Sequence, residues 1–178
     1  MIFSKKDIQE VLPADVTGRS VAYHKRWLVA LVRISHEKKT SERLSKMGIE
    51  NFLPVQQEVH QWSDRRKVVE RVLLPMMIFV HVDMYEQKEV LTESTPAVIP
   101  DGQMHRFKFM LDYSDEAINM STTPLSPGTK IKVIKGPLSG LQGELVTVNG
   151  KSKVAVRLTM LGCAFVDIPV GCVEPLEK

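Results

Sequence analysis

Cysteine is scarce in this chain, and so are aromatic rings and long apolar runs. The two cysteines, Cys163 in "LGCAFV" and Cys172 in "VGCVEP", form no CxxC motif and have no histidine at zinc-ligand spacing. They read as small buried side chains in a reducing compartment, with neither a disulfide nor a metal site. No stretch approaches the roughly 18 apolar residues of a membrane-spanning helix. The first residues, "MIFSKKDIQEVLPAD", break every apolar run with charge and so hold no signal-peptide core. The expectation is a cytoplasmic protein with no membrane contact. The five histidines, His24, His36, His60, His81 and His105, are scattered, and no HExxH or nucleophile motif accompanies them. "GPLSGLQG", near residue 140, lacks the GK[ST] ending and the βαβ setting of a phosphate-binding loop. Neither an enzyme nor a cofactor is expected.

What is present is ordinary globular material: 178 residues, 43% hydrophobic and 25% charged, enough for one domain or two small ones. The formal net charge of +3 hides a block structure. Residues 1–71 hold fourteen Lys/Arg against nine Asp/Glu, residues 72–126 three against eight, and residues 127–178 seven against four. Such segregation suits basic surfaces that face a polyanion, with acidic surface elsewhere.

Residues 1–24 read as an extension with a short helix over "SKKDIQEVL", capped by Ser4. "WLVALVRI", 27–34, is a strand, and "SHEKKTSERLSKMG" a helix with Ser35 as N-cap and Gly48 just past its end. "IENFLPVQQEVHQW", "SDRR" and "KVVERVLLPMMIFVHV" form a long hairpin with a basic tip, where Trp62 reads as the anchor of the turn. "MYEQKEVLTE" is a short helix or turn, and a further helix starts near Asp101. "AINMSTTPLSPG" is a linker rich in small residues and proline. Short strands punctuated by glycine then follow, which implies a small closed barrel. The boundaries are 25–117 for the first domain, 118–127 for the linker and 128–178 for the barrel.

Two strands carry apolar residues on both faces. Leu28, Ala30, Val32 and Ile34 share one face of the first, and Met76, Ile78, Val80 and Val82 share one face of the later strand; both sets belong to a core. On the opposite face Trp27, Leu31, Met77 and Phe79 form either a contiguous partner-binding patch or a surface that the second helix covers. In the barrel, Ile131 and Val133 alternate with Lys130 and Lys132, which points the first pair inward. Gly136-Pro137 and Gly140 mark a tight loop, and Gly143 a close backbone approach.

The run "KRWLVALVRISHEKKTSERLSKMGIENFLPVQQEVHQWSDRRKVVERVLLPMMIFVHVD" resembles the N-terminal (NGN) domain of NusG-type transcription elongation factors, and "SPGTKIKVIKGPLSGLQGELVTV" resembles a KOW motif. The likeness covers residues 25–178 and is strongest to the specialised UpxY-type paralogues, antiterminators of capsular polysaccharide operons related to RfaH. It implies an α+β fold: an NGN domain with an antiparallel sheet and flanking helices, followed by a small SH3-like all-β KOW barrel. It also implies docking on the β′ clamp helices of RNA polymerase through Trp27, Leu31, Leu74, Pro75, Met77 and Phe79. The relatives' motif resembling F-P-G-Y-V-F-V reads here Leu74-Pro75-Met76-Met77-Ile78-Phe79-Val80, with Leu74 for the aromatic and Met76-Met77 for Gly-Tyr. A second departure lies at "LTESTPAVIPDGQM", where the relatives have two separate segments.

Lys39, Arg43 and Lys46 fall at spacings of four and three on one helix face, with Arg33 at the end of the preceding strand. In RfaH-like relatives the matching face reads non-template DNA; the bland alternative is a solvated face partly paired with Glu42. Arg65, Arg66 and Lys67 at the hairpin tip are a further nucleic-acid candidate. The resemblance thus implies a monomeric, non-enzymatic elongation or antitermination factor for polysaccharide (capsule) operons. Its partners would be the polymerase, non-template DNA in the transcription bubble and, at the barrel, a ribosomal or regulatory protein. The alternative is a ribosome- or RNA-associated KOW protein, since such barrels also occur in ribosomal proteins. Alternation at Ile131/Val133 and Val154/Val156 favours a stable barrel over the refolding known for RfaH.

Overall fold

A computed structural model describes residues 24–61, 66–91, 96–122 and 125–176. The N-terminal helix expected over "SKKDIQEVL", Trp62 and Arg65 lie outside the described residues.

Strand β1 (Arg26–Leu31) leads into helix α1 (Glu37–Lys46), then β2 (Glu50–Phe52), β3 (Val55–Gln61), β4 (Arg66–Val72) and β5 (Met77–Val82). Helices α2 (Met84–Val90) and α3 (Asp101–Tyr113) flank β6 (Val98–Ile99). One antiparallel sheet has the order β2-β5-β1-β6, and β3-β4 forms a separate two-stranded ribbon. The β1/β5 register pairs Leu28 with Val80 and Ala30 with Ile78. These four side chains and Val82 pack with Leu44 of α1 and Ile49 into one apolar cluster. That is the core face expected from alternation.

The two ends of that face differ from the expectation. β1 stops at Leu31, so Ile34 is exposed, and Met76 precedes β5 and is also exposed. Both sit at reversals of the chain: Ser35 has φ 63° and Met76 φ 65°, left-handed values that no strand accommodates. Ser35 is therefore not the helix cap. His36 holds that position without a side-chain capping hydrogen bond, and Gly48 (φ 77°) follows the helix end as expected. The α2 start is fully capped: the Asp83 carboxylate accepts from the Tyr85 and Glu86 amides, and Glu86 accepts from the Asp83 amide.

The second face of the sheet is covered by α3. Phe107, Met104 and Met110 are completely buried against Trp27, Val29, Phe79 and Ile99. Phe79 meets Phe107 with ring centroids 6.0 Å apart in a T-shaped contact. Of the two readings left open by the alternation, helix cover holds for Trp27 and Phe79.

The C-terminal part is all β: β7 (Asn119–Ser121), β8 (Thr129–Val133), β9 (Gln142–Val148), β10 (Lys151–Leu158), β11 (Gly162–Asp167) and β12 (Val173–Pro175). Their order is β12-β8-β9-β10-β11-β7, antiparallel throughout. This is a β-rich unit of SH3-like barrel type behind an α+β unit of NGN type. Ile131 and Val133 point into its core with Val154, Val156 and Val166, while Lys130 is exposed. Gly143 is where a close approach is required, because a Cβ there would lie 2.7 Å from the Ala155 carbonyl oxygen. Glu144 and Arg157 form an ion pair across β9 and β10 at 2.8 Å, and Arg157 also donates to the carbonyls of Leu125 and Ser126. The Arg157 hydrogen bond holds the Glu144 carboxyl below the usual carboxylate range. Burial pushes the Cys163 thiol up, so it is a packed side chain and not a thiolate.

Candidate functional site

The site grows from a four-residue turn. Pro75 fixes φ for the second position, the Met77 amide reaches back to the Leu74 carbonyl at 3.4 Å, and Met76 carries the positive φ. This is the pattern of a type II turn, whose third position ordinarily belongs to glycine. A methionine there carries a conformational cost of about 1 to 2 kcal/mol.

Three contacts hold it in place. The Met76 amide donates to Glu37 Oε1 at 3.0 Å, the Val32 amide donates to the Met76 carbonyl at 2.9 Å, and Leu31 pairs with Met77 in the sheet. Glu37 is one of two buried charged residues among those described. Its carboxyl is held below the ordinary glutamate range, first by the Met76 amide and then by its own amide and that of Ser35, against the opposing effect of burial. The carboxylate thus ties the Met76 amide of the turn to the first residue of α1.

Around this lock lies exposed apolar surface. Leu31 is 64% exposed, Ile34 65% and Met76 46%, with Pro75 also exposed and Met77 half-buried. Trp27, Leu74 and Phe79, grouped with them from the sequence, are buried. Trp27 lies between His81, stacked at 4.7 Å, and Lys108, whose Nζ is 3.8 Å from the ring centroid. His81 Nδ1 is in turn 2.7 Å from Glu50. Burial lowers the Lys108 pKa, offset in part by the charges of Glu50 and Asp112. Trp27 and Phe79 therefore belong to the core under α3, and Leu31, Pro75, Met76 and Met77 form the surface at the turn end of the strand pair. Ile34, Met76 and Glu37 were not identified as site residues from the sequence. The one available signal was Met76 at a glycine position.

The basic residues are arranged as their spacing suggests. Arg33, Lys39, Arg43 and Lys46 are all exposed, and among the described residues none of them forms a salt bridge. The pairing with Glu42 that belonged to the solvated-face alternative is absent among those residues, while Lys38 bonds Glu70 of β4 and ties the ribbon to α1. Arg66 and Lys67 are exposed at the start of β4, with Arg66 Nε donating to Gln61 Oε1 at 3.2 Å. Arg43 and Lys46 also sit in the last turn of α1, where they complement the helix dipole. Among the described residues no cluster of side chains could hold a metal ion, and no helix is long and apolar enough to cross a membrane.

Comparison with known proteins gives three findings. No curated protein matches the chain. A solved structure titled "Crystal Structure of MjSpt4:Spt5 complex conformation B" is similar at 15% identity, covering 85% of this chain and 97% of that one, with a TM-score of 0.27. The family model described as "Transcription termination factor nusG" matches residues 25–107, from the residue before β1 into α3, a span that includes the locked turn, α1 and the ribbon. Residues 25–107 are therefore similar to the NusG family, and a six-stranded antiparallel β unit follows them.

Proposed function

We propose that this protein is a transcription elongation and antitermination factor that docks on RNA polymerase through the Leu31–Met77 surface. The observation that carries the reading is the locked turn: a strained Met76 and a buried Glu37 carboxylate fix exposed apolar side chains inside the span that is similar to the NusG family. Monomeric soluble domains rarely keep such a cluster exposed without a partner, and methionine suits an adaptable interface. The β′ clamp helices are the proposed partner element, with Leu31, Pro75, Met76 and Met77 in contact and Trp27, Leu74 and Phe79 buried in the core. The exposed basic face of Arg33, Lys39, Arg43 and Lys46 would lie toward non-template DNA, with Arg66 and Lys67 as a second contact, and would add salt-dependent attraction to phosphates.

A first domain at 25–117, a barrel domain at 128–178 to which β7 (Asn119–Ser121) is added from the expected linker, a cytoplasmic location, a non-catalytic role and preference for capsule polysaccharide operons belong to the same proposal. The last rests on the resemblance to UpxY-type paralogues. The test is a pull-down with core RNA polymerase. Retention of the native chain, lost with Leu31→Asp or Met77→Asp, is the expected result. If the intact protein fails to bind polymerase but is retained by ribosomes, the alternative of a ribosome-associated KOW protein replaces it.

A further inference from the structure

We infer that residues 114–121 are a rigid strap joining the two halves of the molecule, and that β7 closes the outer edge of β11 to any strand-adding partner. A linker of small residues and proline would by itself leave two bodies that tumble separately. Four features of this segment work the other way.

First, β7 is a strand of the barrel sheet, with Asn119, Met120 and Ser121 paired to Phe165, Ala164 and Cys163. The approach is so close that a Cβ on Gly162 would collide with the Ser121 carbonyl, and Gly162 has φ 102°, so glycine is required twice over. Second, Gln56 of β3 reads the segment with both ends of its amide: Nε2 donates to the Glu116 carbonyl at 3.0 Å, and Oε1 accepts from the Ile118 amide at 2.9 Å. Third, Ile118 itself is completely buried and belongs to a single apolar cluster that includes Phe79 and Phe107 on one side and Ile131 and Val156 on the other. Fourth, α3 touches both halves. Its Gln103 Oε1 accepts from the Thr159 amide at 2.7 Å and from the Thr159 hydroxyl at 3.0 Å, at the end of β10.

An interface that shares its apolar core and satisfies its polar atoms at each end is that of a fixed pair. An open sheet edge is the usual docking place for an added strand, and here the chain's own β7 fills it. The barrel is consequently held at one orientation relative to the Leu31–Met77 turn, and its partners must use other surfaces.

The test is backbone 15N relaxation on the full chain. One rotational correlation time shared by the amides of β1/β5 and β8–β10 is the expected result; two distinct times in the native chain overturn the inference. Gly162→Val drives a side chain into Ser121 and should separate the two times while the amides of Val154 and Val156 stay protected from exchange. Times that remain joined in that variant also overturn the inference. Should Gly162→Val fail to fold, the double change Gln56→Ala with Gln103→Ala is read in the same way.

Discussion

The two ends of the β1/β5 pair teach different lessons from one pattern. At the β6 end, Trp27 and Phe79 lie under α3, with Phe79 fully buried; one or two positions further along the same face, Leu31 is exposed and Met77 is half-buried. Side-chain alternation assigns all four to one face, yet only the placement of α3 decides which half of that face is core. Helix α3 packs on Trp27, Val29 and Phe79 and reaches the barrel where Gln103 meets Thr159, and it leaves Leu31 exposed. Stability should reside at the covered end and binding at the uncovered one.

The largest effect expected from this contrast is on stability. Phe107→Ala removes the ring that packs Phe79, and should cost about 3 to 5 kcal/mol in a urea or thermal melt. Leu31→Asp, at the exposed end, should change stability by no more than about 0.5 kcal/mol. For polymerase affinity the ranking reverses. Met77→Asp should lose roughly 2 kcal/mol of binding, about thirtyfold in Kd, with the fold intact by circular dichroism.

The turn between these ends permits a finer cut. Met76→Gly removes the left-handed strain and should raise the melting midpoint, with a gain of about 1 kcal/mol. Glu37→Gln should act through pH. The Glu37 carboxyl is depressed in the folded state, so its contribution is complete above the unfolded value of about 4.3 and is lost as pH falls through the lower folded value. Glu144 and Asp167, depressed by Arg157 and Lys153, add to the same acid limb. Urea melts between about pH 3 and 6 should therefore show a shallower fall for Glu37→Gln than for the native chain.

The smallest effect concerns the basic face. Replacing Lys39, Arg43 and Lys46 by alanine should lower stability by no more than about 1 kcal/mol, the helix-dipole contribution of Arg43 and Lys46, because among the described residues these side chains form no salt bridges. If they meet phosphates, the logarithmic salt slope of nucleic-acid binding should fall by roughly 2 to 3; an unchanged slope would assign the face to solvent.

Local signals carried much of the fold. The alternation of β1, β5 and β8, the start of α3 at Asp101 and the inward set Ile131/Val133 were all legible, since each rests on neighbours within a few residues. What was not legible depends on distant partners. Ser35 has the chemistry of a helix cap, but its positive φ leaves the cap position to His36, and the Glu37 carboxylate that follows accepts from the Met76 amide 39 residues away. Ile34 and Met76 continue an apolar pattern, yet positive φ at Ser35 and Met76 ends both strands early. Residues 119–121 have linker composition and form β7 because Gly162 lets their backbone approach β11. Of the candidate site, the α1 basic face was readable as an exposed surface; the turn at Pro75, the burial of Trp27, Leu74 and Phe79 and the lock were not.

The affinity of core RNA polymerase for the native chain and for Met77→Asp is the most direct test of the central claim. A native complex weakened about thirtyfold by the substitution is the predicted result. Equal affinity for the two proteins, both folded, would contradict the assignment of the Leu31–Met77 end as the docking surface.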